Sequence, residues 1–303
     1  MTQLAKNKIL VIGDLIIDNH FISDSKGKAA EYNAPKGVLK KKYFEVGGAG
    51  MVLNGLRAID KTAQLMTWSN AKFKKYFLKI NQKNIIYKQD NNIEKNRYWI
   101  NNQLILQINE VCKLNKKKIK IVQKRILNKI NKNKNIRSII LCDYRGGIFN
   151  NIFSKNIIKI AREKKITTYI DQQSTSNNPD LIKFSGSNFL VLNKSEYLRA
   201  FKVYSIKNKN FLENLKKLKN LLKIQFLIIK MGIKGSAILK NNIILKIDAF
   251  KKANRSNTIG AGDFFLAKFV ANDKVNLNKR LYEANKYAYQ KISTKITPQK
   301  FKF

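Results

Sequence analysis

Apolar residues along this chain come in two rhythms. Short unbroken runs at 8–13, 139–142, 166–170, 189–192 and 226–230 read as strands buried on both faces of a sheet. Between them, at 114–130, 152–164, 194–202 and 211–222, apolar positions recur every three or four residues, as in amphipathic helices. Strands alternating with helices predict right-handed crossovers and a mostly parallel sheet covered on both faces, an α/β sandwich. Two regions break the rhythm. The segment at about 19–46 is polar with short alternating pieces, and 92–109 alternates around the turn-like pair Asn101-Asn102, as a hairpin does. Together they predict a small β lid standing off the sheet. No internal repeat, Pro-rich linker or Ser-rich tether divides the chain, so a single domain over 1–303 is expected.

Length and composition narrow the class. A chain of 303 residues accommodates one large core or two ordinary domains, and its 44% hydrophobic fraction is that of an ordinary folded protein. No stretch approaches the roughly 18 apolar residues of a membrane span. Residues 1–8 lead into an apolar run without a small-residue cleavage site, so a cytoplasmic location is expected. Cys112 and Cys142 make neither a disulfide framework nor a metal-ligand spacing. His20 is the only histidine, which all but removes His-based triads and leaves acid–base chemistry to carboxylates. The formal charge is +42. Its lysines are scattered beside Asn and Ile through almost every segment, with few arginines and no interleaved aromatic motif. Weak nonspecific binding to nucleic acid at low salt is expected, and no specific nucleic-acid partner.

Candidate chemistry concentrates in the run Asn257-Thr258-Ile259-Gly260-Ala261-Gly262-Asp263, followed by an apolar stretch that reads as a buried helix. Two positions without β-carbons let backbone N–H groups approach an anion closely, and the helix dipole adds positive charge. Asp263, in the first turn, can take a proton from an attacking hydroxyl as a phosphate arrives. The plain alternative is a helix start with no chemistry. Asp14 and Asp18 follow the first strand, where parallel sheets hold ligands, and read either as hydroxyl acceptors or as turn residues. Gly47-Gly48-Ala49-Gly50 opens a helix expected over 51–59. Asn193-Lys194-Ser195-Glu196 follows a strand and reads equally as a cap built on Ser195. Lys230-Met231-Gly232-Ile233-Lys234-Gly235 joins two strand-like runs, as a phosphate-side turn or a plain hairpin.

Taken together, these runs resemble the signatures of the ribokinase-like (PfkB) carbohydrate kinases over nearly the whole chain. The resemblance implies a ribokinase-like three-layer α/β/α sandwich that transfers the γ-phosphate of ATP, with Mg²⁺, to a sugar hydroxyl. It implies that Gly260, Ala261 and Gly262 form the anion hole, that Asp263 is the base, and that Gly47, Gly48, Asp18 and preferentially Asp14 contact the sugar. It further implies that Asn193 and Glu196 position magnesium and the phosphates, Glu196 through water, with Lys230, Gly232, Gly235 and Asn285 on the nucleotide side. Within the family, the stretches 9–18, 31–35, 101–105 and 142–147 are similar to kinases that phosphorylate heptose 7-phosphate at the anomeric oxygen, on the route to nucleotide-activated heptose and lipopolysaccharide. That likeness adds Asn102 and Gln103 to the expected sugar contacts and implies the stand-alone kinase form. The lid is a candidate surface for a homodimer. The sequence departs from the family pattern at Asn257 (usually Asp), at Met51 (commonly Asn), beside Glu31, where Lys26 and Lys28 stand without an arginine, and after Asp171, where Pro-Lys is missing. Two rivals stay open: a kinase for a ribose- or fructose-like sugar, and a sugar- or nucleotide-binding relative without turnover.

Overall fold

The computed structural model describes residues 8–79, 82, 84–111, 114–173, 180–207, 210–251, 258–293 and 300–301. Asn257 and Cys112 therefore lie outside the described residues. The chain opens with β1 (Lys8–Gly13), β2 (Leu15–Lys28), β3 (Pro35–Gly48) and α1 (Ala49–Arg57). It continues through β4 (Gln64–Asn70), α2 (Lys74–Lys79), β5 (Ile85–Lys88), the hairpin β6 (Ile93–Ile100) and β7 (Gln103–Glu110), and α3 (Lys116–Lys132). Next come β8 (Ile136–Asp143), α4 (Asn151–Glu163), β9 (Thr167–Gln172), β10 (Phe189–Asn193), α5 (Lys194–Val203), α6 (Phe211–Leu221) and β11 (Phe226–Lys230). The antiparallel strands β12 (Ser236–Lys240) and β13 (Ile243–Ile247) precede α7 (Ala261–Ala271), α8 (Leu277–Ile292) and the short β14 (Lys300–Phe301).

The nine-stranded central sheet has the order β13-β12-β11-β10-β9-β8-β1-β4-β5, parallel from β11 to β5, with β12 and β13 added antiparallel at one edge. Unbroken apolar runs form its middle because both faces are covered: Val122, Phe153, Tyr197 and Leu215 pack from α3 to α6 on one side. Val52, Phe269 and Leu281 pack from α1, α7 and α8 on the other. The strand order reverses at β1, which lies between β8 and β4, and a crevice opens at the carboxyl ends of the strands there.

The second sheet, β14-β3-β2-β6-β7, contains both segments expected to form the lid, and is called the lid sheet below. The segment expected to be irregular is two strands of 14 residues each. Their inner ends, Leu15 to Ile17 and Phe44 to Val46, enter the core, while the outer ends project into solvent with mostly polar residues on both faces, Val38 and Leu39 excepted. That two-sided polarity is why no period-2 pattern marks them. Asn101 and Asn102, with φ of 47° and 66°, make the left-handed two-residue turn between β6 and β7 that the sequence predicts. Among the described residues, no helix is long and apolar enough to cross a membrane.

Candidate active site

Strand ends supply most of the polar groups at the crevice. Tyr144 follows β8, Asp171 lies near the end of β9, Asn193 closes β10 and Lys230 closes β11. The start of α7 points into the same space: Gly260 caps it in the left-handed region at φ 79°, and Asp263 stands in its first turn. Two cavities meet here. A polar one of about 210 Å³ is bordered by Asp18, Gly47, Gly48, Lys95, Arg97 and Asp263, and an apolar one of about 250 Å³ by Phe265, Asn285, Ala288 and Tyr289. Lys230 and Gly262 border both.

At that junction Lys230 Nζ pairs with Asp171 Oδ1 at 3.2 Å, and a Cβ on Gly262 would stand only 3.2 Å from the same nitrogen. Glycine therefore lets the ammonium rest against the helix start. Asp263 Oδ1 accepts a 2.7 Å hydrogen bond from the Tyr144 hydroxyl. Burial, reinforced by the charge of Asp171, pushes Asp263 up to about 7, against the opposing pull of Tyr144 and Lys230. Burial alone would lower Lys230, but Asp171, Glu196 and Asp263 carry it above its ordinary value. The ammonium is thus fixed as a cation beside a carboxyl that ionises near neutrality, an arrangement able to hold an anion and accept a proton.

Asn193 and Glu196 form a capping box at the start of α5. The Asn193 side chain accepts from the Glu196 amide, and Glu196 Oε2 accepts from the Asn193 amide at 2.7 Å. The cap is thus Asn193 itself, not Ser195. Both residues border the polar cavity, and burial raises Glu196 to about 7 although Lys230 opposes it. In the same cavity Asp18 Oδ1 pairs with Arg97 Nη2 at 2.6 Å, both side chains being less than a tenth exposed. Burial lowers Lys95, with Asp18 opposing.

The structure places three of the expected sugar contacts away from both cavities. Asp14, preferred over Asp18 as the sugar ligand, is buried, and its Oδ2 accepts the Tyr144 and Gly146 amides at 2.9 Å each; it borders neither cavity, whereas Asp18 borders the polar one. Asn102 and Gln103 sit exposed at the lid's hairpin turn, also away from both cavities. Their length of chain reaches the site farther back, through Lys95 and Arg97. Those two, with Tyr144 and Asp171, are what sequence reasoning missed; the available signal was two cations at alternate positions on the strand face that also carries Ile93 and Trp99. Lys26 and Lys28 are exposed on the outer part of β2. Gly232, Gly235, Ala261 and Asn285 border the apolar cavity, and the Asn285 amide donates to the carbonyls of Ile247 and Asp248.

A family model described as pfkB family carbohydrate kinase matches residues 150–288. The bifunctional protein HldE of Aliarcobacter butzleri (strain RM4018) is 28% identical over 295 residues, covering 92% of this chain and 60% of that protein. The bifunctional protein HldE of Campylobacter jejuni (strain RM1221) is 29% identical over 298 residues, covering 95% and 61%. The chain thus spans about three fifths of the length of these relatives. Among solved structures, Arabidopsis thaliana ribokinase complexed with ribose and ATP superposes with a TM-score of 0.70 at 14% identity, covering 97% of this chain and 95% of that one. Escherichia coli phosphofructokinase-2 in complex with substrates and products does so with a TM-score of 0.73 at 12% identity, covering 94% and 93%. These last likenesses are of fold.

Proposed function

We propose that this chain is a carbohydrate kinase of the PfkB family and that it transfers the γ-phosphate of MgATP to the anomeric hydroxyl of heptose 7-phosphate, with Asp263 as the base and heptose 1,7-bisphosphate as product. The observation that carries this reading is the junction of the two cavities. Asp263 faces the polar one, while Lys230 and Gly262 border both. A sugar in the polar cavity and an adenine between Phe265 and Tyr289 in the apolar one bring hydroxyl and γ-phosphate together where Asp263 waits. As the oxygen attacks in line, Asp263 accepts its proton. The N–H groups of Gly260 and Gly262 and the Lys230 ammonium face the charge that develops on the transferred phosphoryl oxygens, while the Ala261 amide donates to the Thr258 carbonyl at 3.1 Å.

Magnesium fits this donor set in one way. Among the described residues, no cluster of three His, Cys, Asp or Glu side chains forms a cage, and Mg²⁺ commonly keeps several waters while leaning on substrate phosphates. Glu196, bordering the polar cavity near Lys230, would hold the ion through water, and the ion would neutralise phosphate charge when bound.

The sugar is chosen on two grounds. The HldE relatives match over more than nine tenths of the chain, and Lys95 and Arg97, the latter paired with Asp18, put two cations among the carboxyls of the polar cavity, where they could meet a sugar phosphate. A binding protein without turnover has no need of a carboxyl that ionises near neutrality beside a phosphate cradle. ATP consumption measured across heptose 7-phosphate and common hexoses and pentoses tests the reading. The highest kcat/KM is expected for heptose 7-phosphate. A pentose or hexose that outruns it replaces the substrate, and ATP consumption with none of them leaves the binding reading standing.

A further inference from the structure

Tyr144 stands where the proposed reaction needs an orienting group. It follows β8, and its hydroxyl lies 2.7 Å from Asp263 Oδ1 and 3.2 Å from Asp171 Oδ2. A phenol has one proton to donate. Asp171 already holds Lys230 through its other oxygen, so the shorter contact to Asp263 takes the proton. A carboxylate with Oδ1 engaged in this way keeps Oδ2 free for a substrate hydroxyl.

The loop that carries Tyr144 is itself tied down from beneath. Asp14 accepts the amides of Tyr144 and Gly146 with one oxygen, and Asp143 accepts the amide of Arg145. Arg145 is held at φ 66°, a conformation a non-glycine residue adopts only under surrounding constraint. A Cβ on Gly146 would lie 2.5 Å from Asp14 Oδ1, so a glycine is needed for the carboxylate to come this close. Tyr144 and Gly146 are thereby locked to the residue that follows β1, Arg145 between them is held by the last residue of β8, and the ring of Tyr144 inherits that rigidity.

We propose that Tyr144 is a positioning residue for Asp263, and that Asp14, unused as a sugar ligand, acts as the anchor of its loop. The inference rests on Asp263 being the base. Burial and the neighbouring Asp263 and Asp171 charges raise the Tyr144 hydroxyl well above its ordinary value, so it stays protonated across neutral pH and acts only as a donor. Donating favours the ionised form of Asp263 and partly offsets the burial that raises it. The other groups facing Asp263 are Cys142 from β8, Asp171 from β9, Lys230 from β11, Asp18 from β2 and Lys95 from β6.

Removing the hydroxyl with Tyr144→Phe leaves all of these in place. It should raise the pH at which Asp263 ionises, move the acid limb of the kcat profile upward with it, and lower kcat roughly ten- to a hundredfold, the scale of a misplaced reacting group, with sugar KM little changed. In an Asp263→Asn background the same substitution should have little further effect. The variant keeps the ring and should melt as the wild type does. The titration is read in the ligand-free protein from the carboxyl ¹³C shift of Asp263, independently of any sugar. A midpoint and an acid limb that Tyr144→Phe leaves unmoved would overturn the positioning role. A wild-type chain that consumes no ATP with any sugar would instead overturn the kinase reading, while the ¹³C titration still decides whether Tyr144 holds Asp263.

Discussion

A carboxyl raised to about 7, as Asp263 is by burial, holds its proton more tightly in the folded chain than in the unfolded one, where its value is 3.8. Between those two values the folded state binds more protons, so this group's contribution lowers stability as pH rises through the window. Asp263→Asn removes the ionisable group and keeps the acceptor for Tyr144. The variant should therefore melt higher than the wild type at pH 8, by a margin that shrinks toward pH 5, while turnover falls by about 10²- to 10⁴-fold. Thermal melts at the two pH values and initial rates at saturating substrates check both halves; turnover above about a tenth of wild type would remove the base assignment. For the same reason wild-type kcat should decline as pH drops through about 7. Gly47 makes a second case, since a Cβ there would stand 2.0 Å from Asp18 Oδ2. Gly47→Ala must displace that carboxylate from Arg97, so sugar KM should rise about tenfold while the KM for ATP holds, a split visible in two-substrate kinetics. Asp263 and its glycines were legible in the sequence because they are contiguous. Tyr144 lies 119 positions from Asp263, and Arg97 lies 79 from Asp18, so only the folded topology brings them together.

The elements show the same division. Strands β1, β8, β9, β10 and β11 could be read from unbroken apolar runs because both their faces are covered. Strand β4 escaped notice because it buries Thr67, Ser69 and Asn70. Their polar atoms are satisfied by tertiary partners, Thr67 Oγ1 donating to the Gly13 carbonyl at 2.6 Å and Ser69 Oγ to Asn92 Oδ1. At the start of α5 the Asn193–Glu196 box makes structure and proposed chemistry share atoms. Glu196→Gln keeps an acceptor for the Asn193 amide, so the melting temperature should hardly change, yet the loss of charge should raise the Mg²⁺ concentration needed for half-maximal rate. A variant that melts early with an unchanged Mg²⁺ requirement would mean the residue serves only as a cap. The second sheet lends Asp18, Lys95 and Arg97 to the polar cavity, so saturating sugar should slow amide exchange in 19–46 and 92–109, as closure of a lid does. Exchange that is unchanged under turnover conditions would count against a closing motion.

At the scale of the whole molecule, a charge of +42 and an apolar lid edge pull in opposite directions. β7 is an edge strand of the lid sheet, and it exposes Leu104, Ile105, Leu106 and Ile108, while Val38 and Leu39 are exposed on β3. Unpaired edge backbone and apolar side chains of this kind favour pairing with a second copy. Two copies that each carry a large positive charge repel, and that repulsion is screened over about 10 Å at 0.1 M salt. Salt should therefore promote self-association through the lid. The same screening should abolish contact with nucleic acid, because counterion release makes such binding weaken steeply as salt rises. Sedimentation velocity in about 50 mM and about 300 mM salt, with and without an arbitrary 20-mer duplex, reads both trends at once. Growth of dimer and loss of DNA-bound material are expected together as salt rises, with no preference among duplex sequences. Leu106→Lys adds charge at the middle of the exposed strand and should keep the chain monomeric at the higher salt without altering the melt, since its side chain is half exposed. A dimer that dissolves as salt rises would mean an ionic contact elsewhere, and nanomolar, sequence-selective DNA binding at physiological salt would mean that the scattered lysines form a specific site.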